Sequence, residues 1–394
     1  MSDILAIERP YKKRPIYKIS WKMTNMCPYA CSYCYMSNAV LKAKMCKDNP
    51  TQADVEEIAS HFDEMINKLA EPDDYIQLHI IGGEPSIFDL KEVTSKITSR
   101  QLRHIILATN LYRPLSYYQE LKEYCTSRNI KIGFIGSFHL EMLKTEKERF
   151  EYVYKIEALQ GKCKAVTNDK NIPIYRPYFK YLMSKNIPIE ITVERDDENK
   201  CVTLSEENQV FIDELRNYCY QIERAKRNYL PYYTVTLKDG RKIDYTSNIA
   251  LINSIDIHGL DPTGFYCDVG MHGVRITKDG GMLRSACRLA SMYFKMGNVK
   301  DINSYEKPKE MIICKTTEAG KDHKYKTKFC TCFNNASMYR LGYDADTGIY
   351  NVNHGIKIPD YHKLKYGNIK NEEKGYIDEI IKSDEERNSV LTIE

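Results

Sequence analysis

The residues of this sequence best suited to chemistry are three cysteines in one short stretch, MCPYACSYCYM, where Cys27, Cys31 and Cys34 have the spacing C-x3-C-x2-C. They directly follow YKISWKMT (17–24), which alternates like a β-strand. Three thiolates on one loop can hold three irons of a [4Fe–4S] cube and leave the fourth iron without a protein ligand, open to react. A zinc site would usually want a fourth Cys or His, which the loop lacks, and an electron-transfer ferredoxin normally supplies four thiolates. The total of 13 cysteines is odd, and in a reducing compartment they read as thiols and metal ligands rather than a disulfide framework. Cys46, Cys125, Cys163, Cys201 and Cys219 stand alone, in helix-like or loop contexts, and read as small hydrophobes.

The elements that must position the loop follow a strand–helix rhythm from about residue 16 to 230. Thr51 can cap a helix whose apolar positions Val55, Ile58, Phe62, Met65, Ile66 and Leu69 keep the helical period. YIQLHIIGG (75–83), HIILATN (104–110), KIGFIGSFH (131–139) and IPIEITVERD (187–196) are β-rich runs with helix-like stretches between them. Alternating strands and helices imply βαβ crossovers and a parallel sheet, and in a closed or partly closed barrel the active site lies at the strand C-terminal ends.

Those ends carry further motifs. With Tyr33 just before the last cysteine of the loop, Gly82-Gly83-Glu84-Pro85 ending one strand, Thr109-Asn110 the next, and Ser137 and His139 the one after, the sequence resembles the radical S-adenosylmethionine (AdoMet) superfamily. The resemblance covers roughly residues 17 to 200. It implies a partial (β/α)6 TIM-like barrel whose cysteine loop holds a [4Fe–4S] cluster. It implies that the GGEP backbone and carboxylate bind the AdoMet amino group, and that Thr109, Asn110, Ser137 and His139 contact its ribose and carboxylate. Such an enzyme is oxygen-sensitive, draws an electron from a donor such as flavodoxin or ferredoxin, and cleaves AdoMet to a 5′-deoxyadenosyl radical that abstracts a hydrogen atom from substrate.

From about residue 232 the rhythm changes. YYTVTLKDGRKIDYT, with Asp239-Gly240 at its turn, and VRITKDGGMLRSA (274–286) read as hairpins. Cys267 before the second hairpin, Cys287 after it, Gly297-Asn298, and the close pair Cys330 and Cys332 resemble the twitch, or short SPASM-type, extension of the same superfamily, a small α+β module. That resemblance implies one auxiliary [4Fe–4S] cluster on Cys267, Cys287, Cys330 and Cys332, with Cys314 as spare or substitute ligand. A zinc site on the same four thiolates has the same spacing. The expected organisation is an N-terminal arm (1–16), the barrel (17–230), the auxiliary-cluster unit (231–340) and a tail (341–394) in which GYIDEIIKSDEER (375–387) offers one helix face.

Composition limits the rest. The balance of 58 Lys+Arg against 54 Asp+Glu gives +4, so there is no global basic field of an obligate nucleic-acid binder, although a local nucleic-acid contact stays open. No apolar leader and no run of about 18 apolar residues stands in the sequence, so a cytoplasmic protein without a membrane partner is expected. Peptide or protein side chains and small metabolites are the substrate classes the resemblance favours, with nucleotides as the alternative. A non-catalytic metal-binding module has no use for the GGEP, Thr-Asn and Ser-x-His elements.

Overall fold

The computed structural model describes residues 4–8, 16–34, 49–194, 202–226, 233–237, 239–245, 266–267, 270–284, 295–308, 312–313, 338–339, 343–344 and 349–350. Strand β1 (Ile4–Glu8) precedes six strands that lie side by side in chain order and run parallel: β2 (Ile16–Thr24), β3 (Tyr75–Gly82), β4 (Leu102–Thr109), β5 (Lys131–Phe138), β6 (Lys162–Thr167) and β7 (Ile189–Val193). Helices α1 (Gln52–Ser60) and α2 (Phe62–Leu69) join β2 to β3, α3 (Leu90–Ser95) joins β3 to β4, and α4 (Leu115–Ser127), α5 (Glu146–Leu159) and α6 (Ile172–Ser184) make the next connections. Helix α7 (Glu206–Lys226) follows β7. The result is a mixed α/β fold on a parallel sheet, consistent with the expected partial barrel.

Each strand buries one side of its pleat. On β2 the alternate residues Tyr17, Ile19, Trp21 and Met23 are buried, and the Trp21 ring packs on Phe62 of α2 with centroids 4.9 Å apart. The other side of the sheet is polar: Lys18 and Lys22 on β2, Gln77 and His79 on β3, His104 on β4, Lys162 and Lys164 on β6, and Glu190 on β7. The Glu190 carboxylate pairs with Lys162 Nζ at 2.7 Å and Lys164 Nζ at 3.0 Å. Burial raises its pKa, but the two lysines together hold it down at about 2.

The expected strands are found to within a residue or two where they are described, and two readings need correction. The helix capped by Thr51, whose capping box closes on Asp54, is two helices that break at His61, although all six expected apolar positions are buried. Cys163, read as a loop or helix residue, sits fully buried in β6. KCKAVT escapes recognition because its buried positions are the small Cys163, Ala165 and Thr167, while the alternate Lys162 and Lys164 lie on the polar side and pair with Glu190 on the neighbouring strand.

Beyond α7, strands β8 (Tyr233–Leu237) and β9 (Lys242–Tyr245) form the first expected hairpin, with Gly240 at φ 82°. β10 (Tyr266–Cys267) follows, then β11 (Gly273–Ile276), β12 (Gly281–Leu283) and β13 (Lys295–Asn298). β11 and β12 form the second expected hairpin; β11 also pairs in parallel with β2, so this hairpin extends the barrel sheet. β14 (Ile312–Ile313), β10, β15 (Met338–Tyr339), β1, β8 and β9 make a second sheet in that order, so the expected N-terminal arm contributes a strand to it. Cys287, Cys314, Cys330, Cys332 and the expected terminal helix lie outside the described residues.

Candidate functional site

The C-terminal ends of β2 to β5 place the four expected motifs at one end of the sheet. The turn after β3 is fastened to the cysteine loop by backbone: Gly83 N–H donates to Thr24 O at 2.8 Å and Glu84 N–H to Met26 O at 2.7 Å. Such close approach requires glycine. A Cβ on Gly82, at φ 148°, would stand 2.4 Å from Thr24 O, and one on Gly83 would stand 2.0 Å from Met26 O.

Glu84 is completely buried. Its Oε1 accepts from Ser86 N–H at 3.0 Å, Ser86 Oγ at 2.6 Å and Thr109 Oγ1 at 2.8 Å, and its Oε2 accepts from Asn110 N–H at 2.5 Å. Burial raises the Glu84 pKa, and these hydrogen bonds oppose the rise. The carboxylate thus faces the protein and joins the end of β3 to the end of β4. Pro85 begins a short 3-10 turn (Pro85–Ile87) capped by the same carboxylate.

Asn110 faces the cysteine loop. Its Nδ2 lies 3.6 Å from Cys27 Sγ, while its Oδ1 accepts from Tyr112 N–H at 3.1 Å. Cys27 Sγ also receives Tyr29 N–H at 3.4 Å. Burial pushes the Cys27 and Cys31 thiols up, Cys31 to about 11, so the thiolates a cluster needs form there only when positive charge arrives with them. Among the described residues no three Cys, His, Asp or Glu side chains converge on one metal ion. A cube needs no such convergence, because each thiolate takes a different iron, so three soft sulfur donors on one loop fit that group.

The loop is also tied to the end of β5. Tyr33 OH meets His139 Nδ1 at 2.9 Å, and the two rings stack at 5.8 Å. Burial lowers the His139 pKa to about 4, which keeps the imidazole neutral. Glu141 accepts from Ser32 N–H at 2.7 Å and from Ser32 Oγ. Ser137 is half-buried on the polar side of the sheet, in register with Lys164. Sequence reasoning missed Tyr29, Ser32, Tyr112 and Glu141; Tyr29 and Ser32 lie inside the cysteine loop, but no local pattern marks Glu141 as their neighbour.

Residues 21–155, which hold all four motifs, match the family model of the radical SAM superfamily. The chain carries a radical SAM domain. Such a domain marks an enzyme, and the superfamily of that model works with AdoMet and a [4Fe–4S] cluster. Among solved structures, native anSMEcpe with bound AdoMet and Kp18Cys peptide is 13% identical, with TM-score 0.43, over 72% of this chain and 78% of that one. Native anSMEcpe with bound AdoMet and Cp18Cys peptide is 13% identical, with TM-score 0.43, over 81% and 83% of the two chains. No curated protein matches the chain. Among the described residues, no helix is long and apolar enough to cross a membrane.

Proposed function

We propose that the chain holds a [4Fe–4S] cluster on Cys27, Cys31 and Cys34, binds AdoMet beside it, and takes a hydrogen atom from a peptide or protein side chain or a small metabolite. The observation that carries the reading is the meeting of the loops after β2, β3, β4 and β5, with Cys27 within reach of Asn110 and Tyr33 against His139. The cofactors, once bound and reduced by a flavodoxin- or ferredoxin-like donor, supply the radical chemistry. The residues of the chain bind and orient. Gly82, Gly83, Glu84 and Pro85 form the turn that receives the AdoMet ammonium, and Thr109, Asn110, Ser137, His139 and Tyr33 line the neighbouring strand ends. Cys267, Cys287, Cys330 and Cys332 hold one auxiliary [4Fe–4S] cluster that aids substrate binding or takes up an electron.

Anaerobic reconstitution tests both clusters. The full chain should bind about eight irons, and replacing Cys27, Cys31 and Cys34 by Ala should leave about four and abolish formation of 5′-deoxyadenosine from AdoMet. Stoichiometric zinc in the remaining site would refute the auxiliary cluster alone, and an unchanged iron count in the triple variant would refute the first.

A further inference from the structure

A closed ring of hydrogen bonds joins four residues at the mouth of the sheet. Cys27 follows Met26, whose carbonyl accepts from Glu84 N–H at 2.7 Å; the Glu84 carboxylate accepts from Asn110 N–H at 2.5 Å; and the Asn110 side chain returns to Cys27 Sγ at 3.6 Å. The direction of the last contact is settled by its neighbour. Tyr112 N–H can only donate, and it points at one end of the Asn110 amide at 3.1 Å. That end is therefore the carbonyl, and the end facing sulfur is the NH2.

We propose that Asn110 donates an N–H···S bond that raises the reduction potential of the cluster bound through Cys27, and that Glu84 is the positioning residue that holds Asn110 in place. This rests on the reading of Cys27 as a cluster ligand. One-electron reduction adds a negative charge shared between cluster and thiolates, with no bond made or broken, and the electron comes from a low-potential one-electron donor. A donor dipole aimed at Cys27 Sγ stabilises the reduced form more than the oxidised one. Asn110 is buried, which strengthens that dipole. The other donor to the same sulfur, Tyr29 N–H, belongs to the backbone and stays constant when Asn110 is changed.

The test is a potentiometric titration of the anaerobically reconstituted full chain, with dithionite and mediators, read by electron paramagnetic resonance on the signal that the Cys27, Cys31 and Cys34 triple Ala variant lacks. At the potential that half-reduces the wild-type cluster, Asn110→Leu should raise the ratio of oxidised to reduced cluster about threefold to tenfold, the upper figure being about 59 mV for one electron. Asn110→Asp, which adds a negative charge in place of the donor, should raise it further. A wild-type potential in both variants at full iron content overturns the tuning and leaves the cluster assignment standing. An unchanged iron count in the triple variant overturns both. If neither Asn110 variant takes up iron, pulsed resonance on wild-type protein carrying side-chain 15N-asparagine decides: a 15N coupling to the reduced cluster supports the bond, and its absence overturns it.

Discussion

Glu84 shows how far a residue's type can be read and where its surroundings take over. A carboxylate after Gly-Gly suits an ammonium in a dry site, but here all four groups that meet its two oxygens are donors from the chain itself. Glu84→Gln keeps the shape, yet it places an NH2 against groups that can only donate or that already do so. Hydrogen bonds to a charged acceptor are each worth about 1.5 to 3 kcal/mol, so the variant should lose about 2 to 3 kcal/mol of stability before any cofactor is added. Denaturant unfolding of the apo protein measures this. An unaltered midpoint, together with a weakened AdoMet affinity, would move the carboxylate from the framework to the ligand. The turn itself was legible, because glycine, carboxylate and proline side by side after a strand mark a chain reversal. Its engagement was not, because Ser86, Thr109 and Asn110 reach Glu84 only once β3 and β4 are paired.

At the scale of elements, strands with large apolar residues on the buried side were legible, and β6, whose buried side is Cys163, Ala165 and Thr167, was not. β2 and β5 alternate visibly, whereas β6 sets Lys162 and Lys164 on the polar side, where they pair with Glu190 on β7, 26 residues beyond Lys164. The helix break at His61 was equally hidden, since Phe62, Met65 and Ile66 continue the period across it. The polar side of the sheet has a consequence for acid stability. Burial, reinforced by Lys18, Lys164 and His104 and opposed by Glu190, lowers the His79 pKa to about 4. In the unfolded chain that imidazole takes a proton near its ordinary pKa of about 6.5, so the unfolded state binds more protons and stability falls as pH drops from about 6.5 towards 4. His79→Gln should flatten this part of the curve of unfolding midpoint against pH. Equal slopes in variant and wild type between pH 7 and 5 would show that His79 does not carry the dependence. Glu190 acts lower, its contribution being present above about 4.5 and lost towards 2.

At the scale of the whole molecule, β11 to β13 extend the sheet that presents the cysteine loop. β11 runs beside β2, with Gly273 so close that a Cβ there would stand 2.4 Å from Lys18 O. Residues 295–308 lie over α1 and α2, where Lys300 pairs with Glu57, Lys307 with Glu71, and Lys68 donates to Ile302 O. Val274, Ile276, Met282, Val299 and Tyr305 share one apolar core with Trp21 and Phe62. Full burial of such side chains is worth about 1.5 to 3 kcal/mol each, and removing β11 would also strip the partner from an edge of β2 and leave it open to association. A fragment of residues 1–230 keeps Cys27, Cys31 and Cys34, but it should aggregate or unfold at much lower denaturant than the full chain and take up less than its share of iron. Size-exclusion chromatography, denaturant unfolding and iron analysis on the two proteins side by side make the test. A monomeric fragment with the stability of the full chain and four bound irons would mean that the barrel presents its cluster loop without support from β11 to β13. The expected outcome makes β2 the common member of both regions: it delivers the cysteine loop at one end and carries the downstream hairpin along its edge, so changes in β11 reach the cysteine loop along that strand.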